Sequence, residues 1–303
     1  MSARSYQPPL CPVCGHATAR ASLHTPSSYW RCPECRTAHL HPQPSDEFLA
    51  QFYEQFHLPA AEGGLFEQFE ERTAADFPAK AALVAKHLGW SKGYAGPAPR
   101  VLDVGCGKGY FVRALAELGM AGEGIDLSAH AVAEGARQGI AGLRAGRLED
   151  QAQWVGQFDA VTAWATIEHL PDPRAFLQAI RQALKPGGLL FLDTGLGGDF
   201  VDDWAPGLIQ WFDAPQHLFV HSRPGMEKLA RELNFKIEKF DSNFERNLPR
   251  RWVKFVRNRL IALAGVGIFR LGLGKAVYDR MRMEAKMPFG SLMFVVARLE
   301  KAA

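Results

Sequence analysis

From residue 100 onward, short apolar runs alternate with amphipathic stretches. Val101, Leu102 and Val104 form one run, residues 122–126 a second, 158–164 a third and 189–193 a fourth. Between them, 110–118, 128–138 and 173–184 carry apolar residues at helical spacing, with Ser128 placed to cap its helix. A weaker strand is predicted at 142–145, a helix at 224–233, and strands at 235–240 and 292–299. Strands alternating with helices of about ten residues predict an α/β fold, a mainly parallel sheet with helices on both faces.

The first hundred residues read differently. Phe48, Leu49, Phe52, Tyr53 and Phe56 have helical spacing, Gly63-Gly64 breaks it, and 65–88 is again helical. Glycines 89, 93 and 96 with Pro97 and Pro99 make 89–99 a linker. Residues 1–45 show little apolar periodicity. The pattern thus divides the chain into a small ribbon over 1–45, a helical connector over 46–97 and a main domain over 98–303. Within the last, 245–288 reads as a basic amphipathic helical insertion.

A segment the size of 1–45 buries too little apolar surface to fold without a staple. Its spacing, Cys11-x2-Cys14-x17-Cys32-x2-Cys35, suits a tetrahedral four-thiolate zinc site. Four thiolates fill the coordination shell, so Zn2+ is expected to be structural. The fifth cysteine, Cys106, is expected to be a small packing residue. The polar beginning of the chain carries no visible export signal, and no apolar run approaches the ~18 residues of a spanning helix. A cytoplasmic location follows as the expectation.

The chain has 303 residues, 47% hydrophobic and 22% charged, ample for a globular core. The stretch richest in chemistry is VLDVGCGKGYF, 101–111. Gly105 and Gly107 stand where a strand turns into a helix, so backbone can approach a ligand closely. A dinucleotide-binding turn wants its third glycine at 110, which is Tyr110; the glycine is Gly109. Asp103, two residues before Gly105, suits a cationic group better than a pyrophosphate. Asp126 ends the next strand, where a carboxylate can accept both hydroxyls of a ribose, and Leu127 beside it can pack an adenine. Ordinary turn glycines and capping aspartates are the plain alternative, and the ordered set argues against it.

These residues resemble the class I S-adenosylmethionine-dependent methyltransferases of the small-molecule type, over about 98–244. The likeness extends to Phe158-Asp159-Ala160-Val161, to Ile167-Glu168-His169-Leu170, and to Leu184-Lys185-Pro186-Gly187-Gly188. It implies a Rossmann-like seven-stranded sheet with the last strand, 292–299, antiparallel. It also implies S-adenosylmethionine as cofactor, held by Asp103, Gly105, Gly107, Gly109, Asp126, Leu127 and Trp164. Arg147 stands where many relatives have an acid for the adenine, so Glu149 or Asp150 is expected to substitute. The ribbon, the Pro42-Gln43-Pro44 exit and the Phe52-Tyr53 helix resemble enzymes of sugar, lipid or polysaccharide metabolism. They also resemble certain ribosomal RNA methyltransferases.

Methyl transfer to oxygen or carbon needs a proton removed. His217, in the long irregular stretch 195–219, is the expected base, with His221 and His169 as weaker candidates. A histidine that only bonds neighbouring backbone is the plain alternative. Trp204, Trp211 and Phe212 are placed to line the acceptor pocket or to pack the lid. No Asn/Asp-Pro-Pro-Tyr block follows the fourth strand, which speaks against a nucleobase nitrogen acceptor.

The net charge is +3, but 246–286 holds eleven Lys or Arg against Asp279 and Glu284. That segment carries +9 and the rest of the chain −6. Its interleaved apolar residues suit an anionic membrane surface, an RNA face, or a helical lid or dimer contact. The expected function is methyl transfer to an oxygen, or a carbon, of a sugar-like, lipid-linked or other small molecule. The rivals are a ribosomal or transfer RNA methyltransferase and a non-catalytic S-adenosylmethionine-binding protein.

Overall fold

The computed structural model describes residues 8–20, 29–56, 74–93, 95–198, 211–242, 253 and 291–300. Apart from Val253, the basic segment 246–286 lies outside the described residues, as does Trp204. The ribbon holds β1 (Ala19–Arg20), β2 (Tyr29–Arg31) and β3 (Ala38–Leu40). Helix α1 (Asp46–Phe56) and helix α2 (Phe77–Leu88) follow, the latter closed by Gly89 in the left-handed conformation. The main unit then runs β4 (Arg100–Val104), α3 (Tyr110–Glu117), β5 (Ala121–Asp126), α4 (Ala129–Arg137), β6 (Leu143–Ala145) and β7 (Phe158–Trp164). It continues with α5 (Pro173–Ala183), β8 (Leu184–Gly197), β9 (Phe219–Ser222), α6 (Arg223–Glu232), β10 (Phe235–Ser242) and β11 (Ser291–Leu299).

Seven strands form the principal sheet in the order β6-β5-β4-β7-β8-β11-β10. All are parallel except β11, which lies antiparallel between β8 and β10. The expected seven-stranded α/β sheet with its reversed last strand is therefore present. Side-chain alternation sorts the core onto the two faces. Leu102, Val161, Leu190, Leu192, Val295 and Ala297 pack with Phe176, Ile180, Met226 and Leu229 of α5 and α6. Val101, Ala160, Leu189, Phe191 and Val296 pack with Ala81, Val84, Phe111 and Leu115 of α2 and α3.

Two features near the site differ from the sequence pattern. Strand β8 continues to Gly197, so 195–197 is strand where an irregular stretch is expected. The extension is held by β11 on one side (Ser291 opposite Leu196) and by β9 on the other (Leu196 opposite His221). Strand β9 in turn takes up the ribbon, for β3 pairs with it antiparallel (Ala38 opposite Val220, His39 opposite Phe219). Cys11, Val13, Tyr29, Cys32 and Cys35 consequently belong to the same hydrophobic core as Leu102 and Phe158.

Candidate active site

The glycine loop joins the C-terminal end of β4 to α3. Gly105, Gly107 and Gly109 have φ of 77°, 51° and 80°, where a side chain is strained. A Cβ on Gly105 would also lie 2.5 Å from Thr166 Oγ1, and one on Gly109 2.6 Å from Leu143 Cδ2. Asp126, at the end of the neighbouring β5, accepts from Gly107 N at 2.8 Å on Oδ2 and from Ser128 N at 2.9 Å on Oδ1. Two carboxylate oxygens offer about four acceptor sites, so two remain for a pair of ribose hydroxyls. Leu127 beside it is 42% exposed, as an adenine platform requires. Cys106 is buried and fills the space above Gly124, in keeping with a packing role.

Asp103 sits at the end of β4, beneath the loop and 2% exposed. Its Oδ1 accepts from Thr162 Oγ1 at 2.6 Å. Burial outweighs that bond and raises its pKa to about 7. The adjacent strand end is braced by charge: Lys80 Nζ lies 2.7 Å from Asp193 Oδ2 and 4.4 Å from the centroid of the Trp164 ring. The other oxygen of Asp193 accepts from Ala165 N at 2.8 Å, holding Ala165 at φ 48°. That left-handed residue turns the chain so that Thr166 Oγ1 can donate, at 3.1 Å, toward the Val104 and Trp164 carbonyls. The Trp164 ring itself is 7% exposed and packs between Phe111 and Phe294. Glu149 and Asp150 are both exposed, on a short 3-10 turn whose Leu148 points inward.

Beyond the ends of β7 and β8 lies a second cluster. Glu168 and His169 stand on a 3-10 turn (Ile167–His169), and His217 on the segment leading into β9. Their ligand atoms come within 4.8 Å of one another, close enough to share one cation. Glu168 is 2% exposed, and burial pushes its carboxyl up to about 8. His217 is 8% exposed, and burial, followed by neighbouring His169, pushes it down to about 3. Its ring stacks on His169 at 5.0 Å and meets Trp211 edge-on at 5.6 Å. Its Nδ1 and Glu168 Oε2 are buried with no hydrogen-bond partner among the described residues. His169 Nδ1 lies 2.7 Å from the Gln216 carbonyl, so it carries the proton and leaves Nε2 with the lone pair. His221 is wholly buried in β9 and faces no solvent.

The sequence reading missed Tyr53. It lies on α1, donates to the Gln216 carbonyl at 3.1 Å and meets His169 edge-on at 5.8 Å. Its hydroxyl pKa is raised by burial, then by the charges of Glu168 and Asp126. Glu168, Thr162, Thr166 and Lys80 were also not assigned site roles. The signal that could have found Glu168 is its place in Ile167-Glu168-His169-Leu170, a stretch that carries the family resemblance.

The cysteines converge as their spacing predicts. Cys11 and Cys35 Sγ are 3.6 Å apart, Cys14 and Cys32 Sγ 3.3 Å, and all four lie within 4.8 Å. Thiolates about 2.3 Å from a tetrahedral zinc lie about 3.8 Å apart, so the set fits that ion with modest adjustment. The Cys11 hydrogen bond holds Cys35 below the ordinary thiol range, at about 5, and Cys11 is correspondingly raised. A cation at the centre would relieve this crowding. A depression lined by Pro186, Gly187, Lys236 and Arg298 lies at the opposite end of β8 and touches none of these groups.

Comparison with known proteins agrees with this geometry. The family described as "Methyltransferase domain" matches residues 66–239. The ubiquinone biosynthesis O-methyltransferase of Xanthomonas oryzae pv. oryzae is 43% identical over 101 residues, 31% of this chain and 42% of the relative. That of Idiomarina loihiensis is 39% identical over 118 residues, 36% of this chain and 47% of the relative. The match thus spans less than half the length of these relatives. Among solved structures, the [4+2]-cyclase SpnF aligns with a TM-score of 0.55 at 20% identity, over 86% of this chain and 98% of that one. Geranyl diphosphate C-methyltransferase from Streptomyces coelicolor aligns with a TM-score of 0.50 at 18% identity, over 73% and 78%. With a glycine loop, an acid at the end of β5 and this strand order in place, the chain belongs to the methyltransferase-domain family, on the fold of the class I S-adenosylmethionine-dependent enzymes.

Proposed function

We propose that the protein transfers the methyl group of S-adenosylmethionine to a hydroxyl oxygen of a small molecule, with His217 taking up the hydroxyl proton. The observation that carries this reading is the buried, neutral His217, with Nδ1 unpartnered next to Glu168 and beyond the strand ends that hold the glycine loop. When bound, S-adenosylmethionine supplies the electrophilic methyl. The chain's own work is placement, which accounts for much of the rate in such transfers. Gly105, Gly107 and Gly109 admit the cofactor, Asp126 binds its ribose and Leu127 its adenine. Asp103 lies beneath its cationic end, and the turn of Trp164 and Ala165 forms the wall beside it. Glu149, exposed on the 3-10 turn after β6, is assigned to the adenine. Proton uptake at His217 Nδ1 creates an imidazolium, whose charge favours ionisation of the adjacent Glu168 carboxyl and is stabilised by it.

The two O-methyltransferase relatives support oxygen as the acceptor, and their role in ubiquinone biosynthesis supports a lipid-linked or other amphiphilic molecule. Among the described residues, no helix is long and apolar enough to cross a membrane. The +9 segment 246–286 suits peripheral contact with an anionic membrane surface, where such an acceptor resides. A sugar-like hydroxyl and a carbon acceptor use the same cofactor site; an RNA acceptor and a non-catalytic role are the competing readings.

Incubation of the protein with methyl-labelled S-adenosylmethionine and fractionated cell extract tests the proposal. Label should enter the lipid or small-molecule fraction, and His217→Gln should lower the transfer about 10²-fold or more while leaving S-adenosylhomocysteine binding intact. Label in RNA, or none in any fraction, contradicts it.

A further inference from the structure

We propose that the cysteine ribbon is a clamp that positions the acceptor side of the site, with Tyr29 as the positioning residue that acts on His217. The inference rests on the reading of His217 given above.

Three consecutive carbonyls lead into β9, and each is held by a different donor set. The Gln216 carbonyl accepts from Tyr53 Oη at 3.1 Å and from His169 Nδ1 at 2.7 Å. The His217 carbonyl accepts from Tyr29 Oη at 2.5 Å, and the Leu218 carbonyl from Leu40 N at 2.8 Å. The last two donors belong to the ribbon. Leu218 N donates at 2.8 Å to the Glu168 carbonyl, so this one residue splices the ribbon to the turn that bears Glu168 and His169.

Tyr29 is suited to the task. It opens β2, three residues before Cys32, and is 1% exposed. Its ring meets Phe212 edge-on at 5.0 Å, and Phe212 begins the segment that carries His217. Its hydroxyl is held above the ordinary phenol range by burial, so it remains a donor. A second tie runs between the cysteine loop and the far end of β9. Ser222 Oγ donates to the Cys35 carbonyl and lies 3.1 Å from Thr37 Oγ1. Arg174 of α5 donates to the Val13 carbonyl at 2.9 Å. Four thiolates leave a bound zinc no open position, so the ribbon's influence on the reaction is mechanical. A bound zinc would order the two cysteine turns, which orient β2 and β3, and Tyr29 and Leu40 set the backbone under the His217 ring.

The test uses Tyr29→Phe in the full chain, loaded with zinc, which keeps the buried ring and removes one hydroxyl. Zinc content and S-adenosylhomocysteine affinity should stay within twofold of wild type. Amide exchange in 211–218 should quicken about tenfold or more, with exchange in β7 unchanged, as expected for a local opening. With a lipid extract as acceptor pool, kcat should fall about tenfold while KM for S-adenosylmethionine is unchanged, a pattern that general destabilisation does not produce. Zinc removal with a chelator should quicken exchange in the same segment; if the stripped protein aggregates, Tyr29→Phe alone decides. Unchanged exchange in 211–218, or faster exchange with undiminished transfer, overturns the proposal. If His217→Gln keeps full transfer while Tyr29→Phe loses it, the proton-acceptor role falls and the clamp stands.

Discussion

Burial sets the chemistry of the site's ionisable side chains. The carboxyls of Asp103 and Glu168 are pushed up to about 7 and about 8, and His217 down to about 3, each chiefly by loss of solvent. Between the ordinary carboxylate range and these values the two carboxyls bind more protons in the folded chain than in the unfolded chain. Their contribution to stability therefore falls as pH rises through that window. The buried histidines act only below their ordinary value near 6.5, and Cys35, held at about 5, adds an opposite slope that a carboxyl variant leaves unchanged. Glu168→Gln removes one of the two carboxyls. Denaturant unfolding should show the variant gaining stability relative to wild type as pH rises from about 6.5 to about 8, and a constant difference would refute the assignment. The glycine loop and Asp126 were legible residue by residue, because Gly105, Gly107, Gly109 and Asp126 lie within one strand-turn-helix and the strand after it. Of the second cluster, the sequence named His217 and His169 but not Tyr53 or Glu168. These residues come from distant stretches, and Tyr53 looked like one more apolar position on α1.

The local pattern carried most elements to within a residue or two, because α3, α5 and β7 each bury one face or a continuous run. It failed where pairing is non-local. Ala38-His39-Leu40 and Phe219-Val220-His221-Ser222 have no alternation of their own, since both are buried throughout. Their union depends on residues about 180 positions apart, which no local period encodes. The capping of α4 offers a clean test of how element and site are joined. Ser128 Oγ accepts from Ala131 N at 3.1 Å, while its backbone N donates to Asp126. Ser128→Ala should cost about 1 kcal/mol of stability, typical of a lost N-cap. The backbone bond to Asp126 survives the change, so calorimetry should find the S-adenosylhomocysteine affinity unaltered.

Across the whole molecule, ribbon and sheet share one hydrophobic core and a continuous run of paired strands, β1-β2-β3-β9-β8. Zinc binding, coupled to the folding of the cysteine loops, should therefore stabilise the sheet as well. In differential scanning calorimetry, Cys32→Ser should lower the temperature of the main unfolding transition; a separate, early ribbon transition with the main one unmoved would mean the two units unfold independently. The remaining question is whether the bend between β4 and α3 holds the adenosyl cofactor with Asp126 at its ribose. Isothermal titration of S-adenosylhomocysteine into wild type and Asp126→Ala answers it most directly. The account predicts one site per chain in the wild type, and a loss of about 10²-fold or more in the variant, since two hydrogen bonds to a charged acceptor vanish. Equal affinity in the two proteins, or no binding to the wild type, would contradict it.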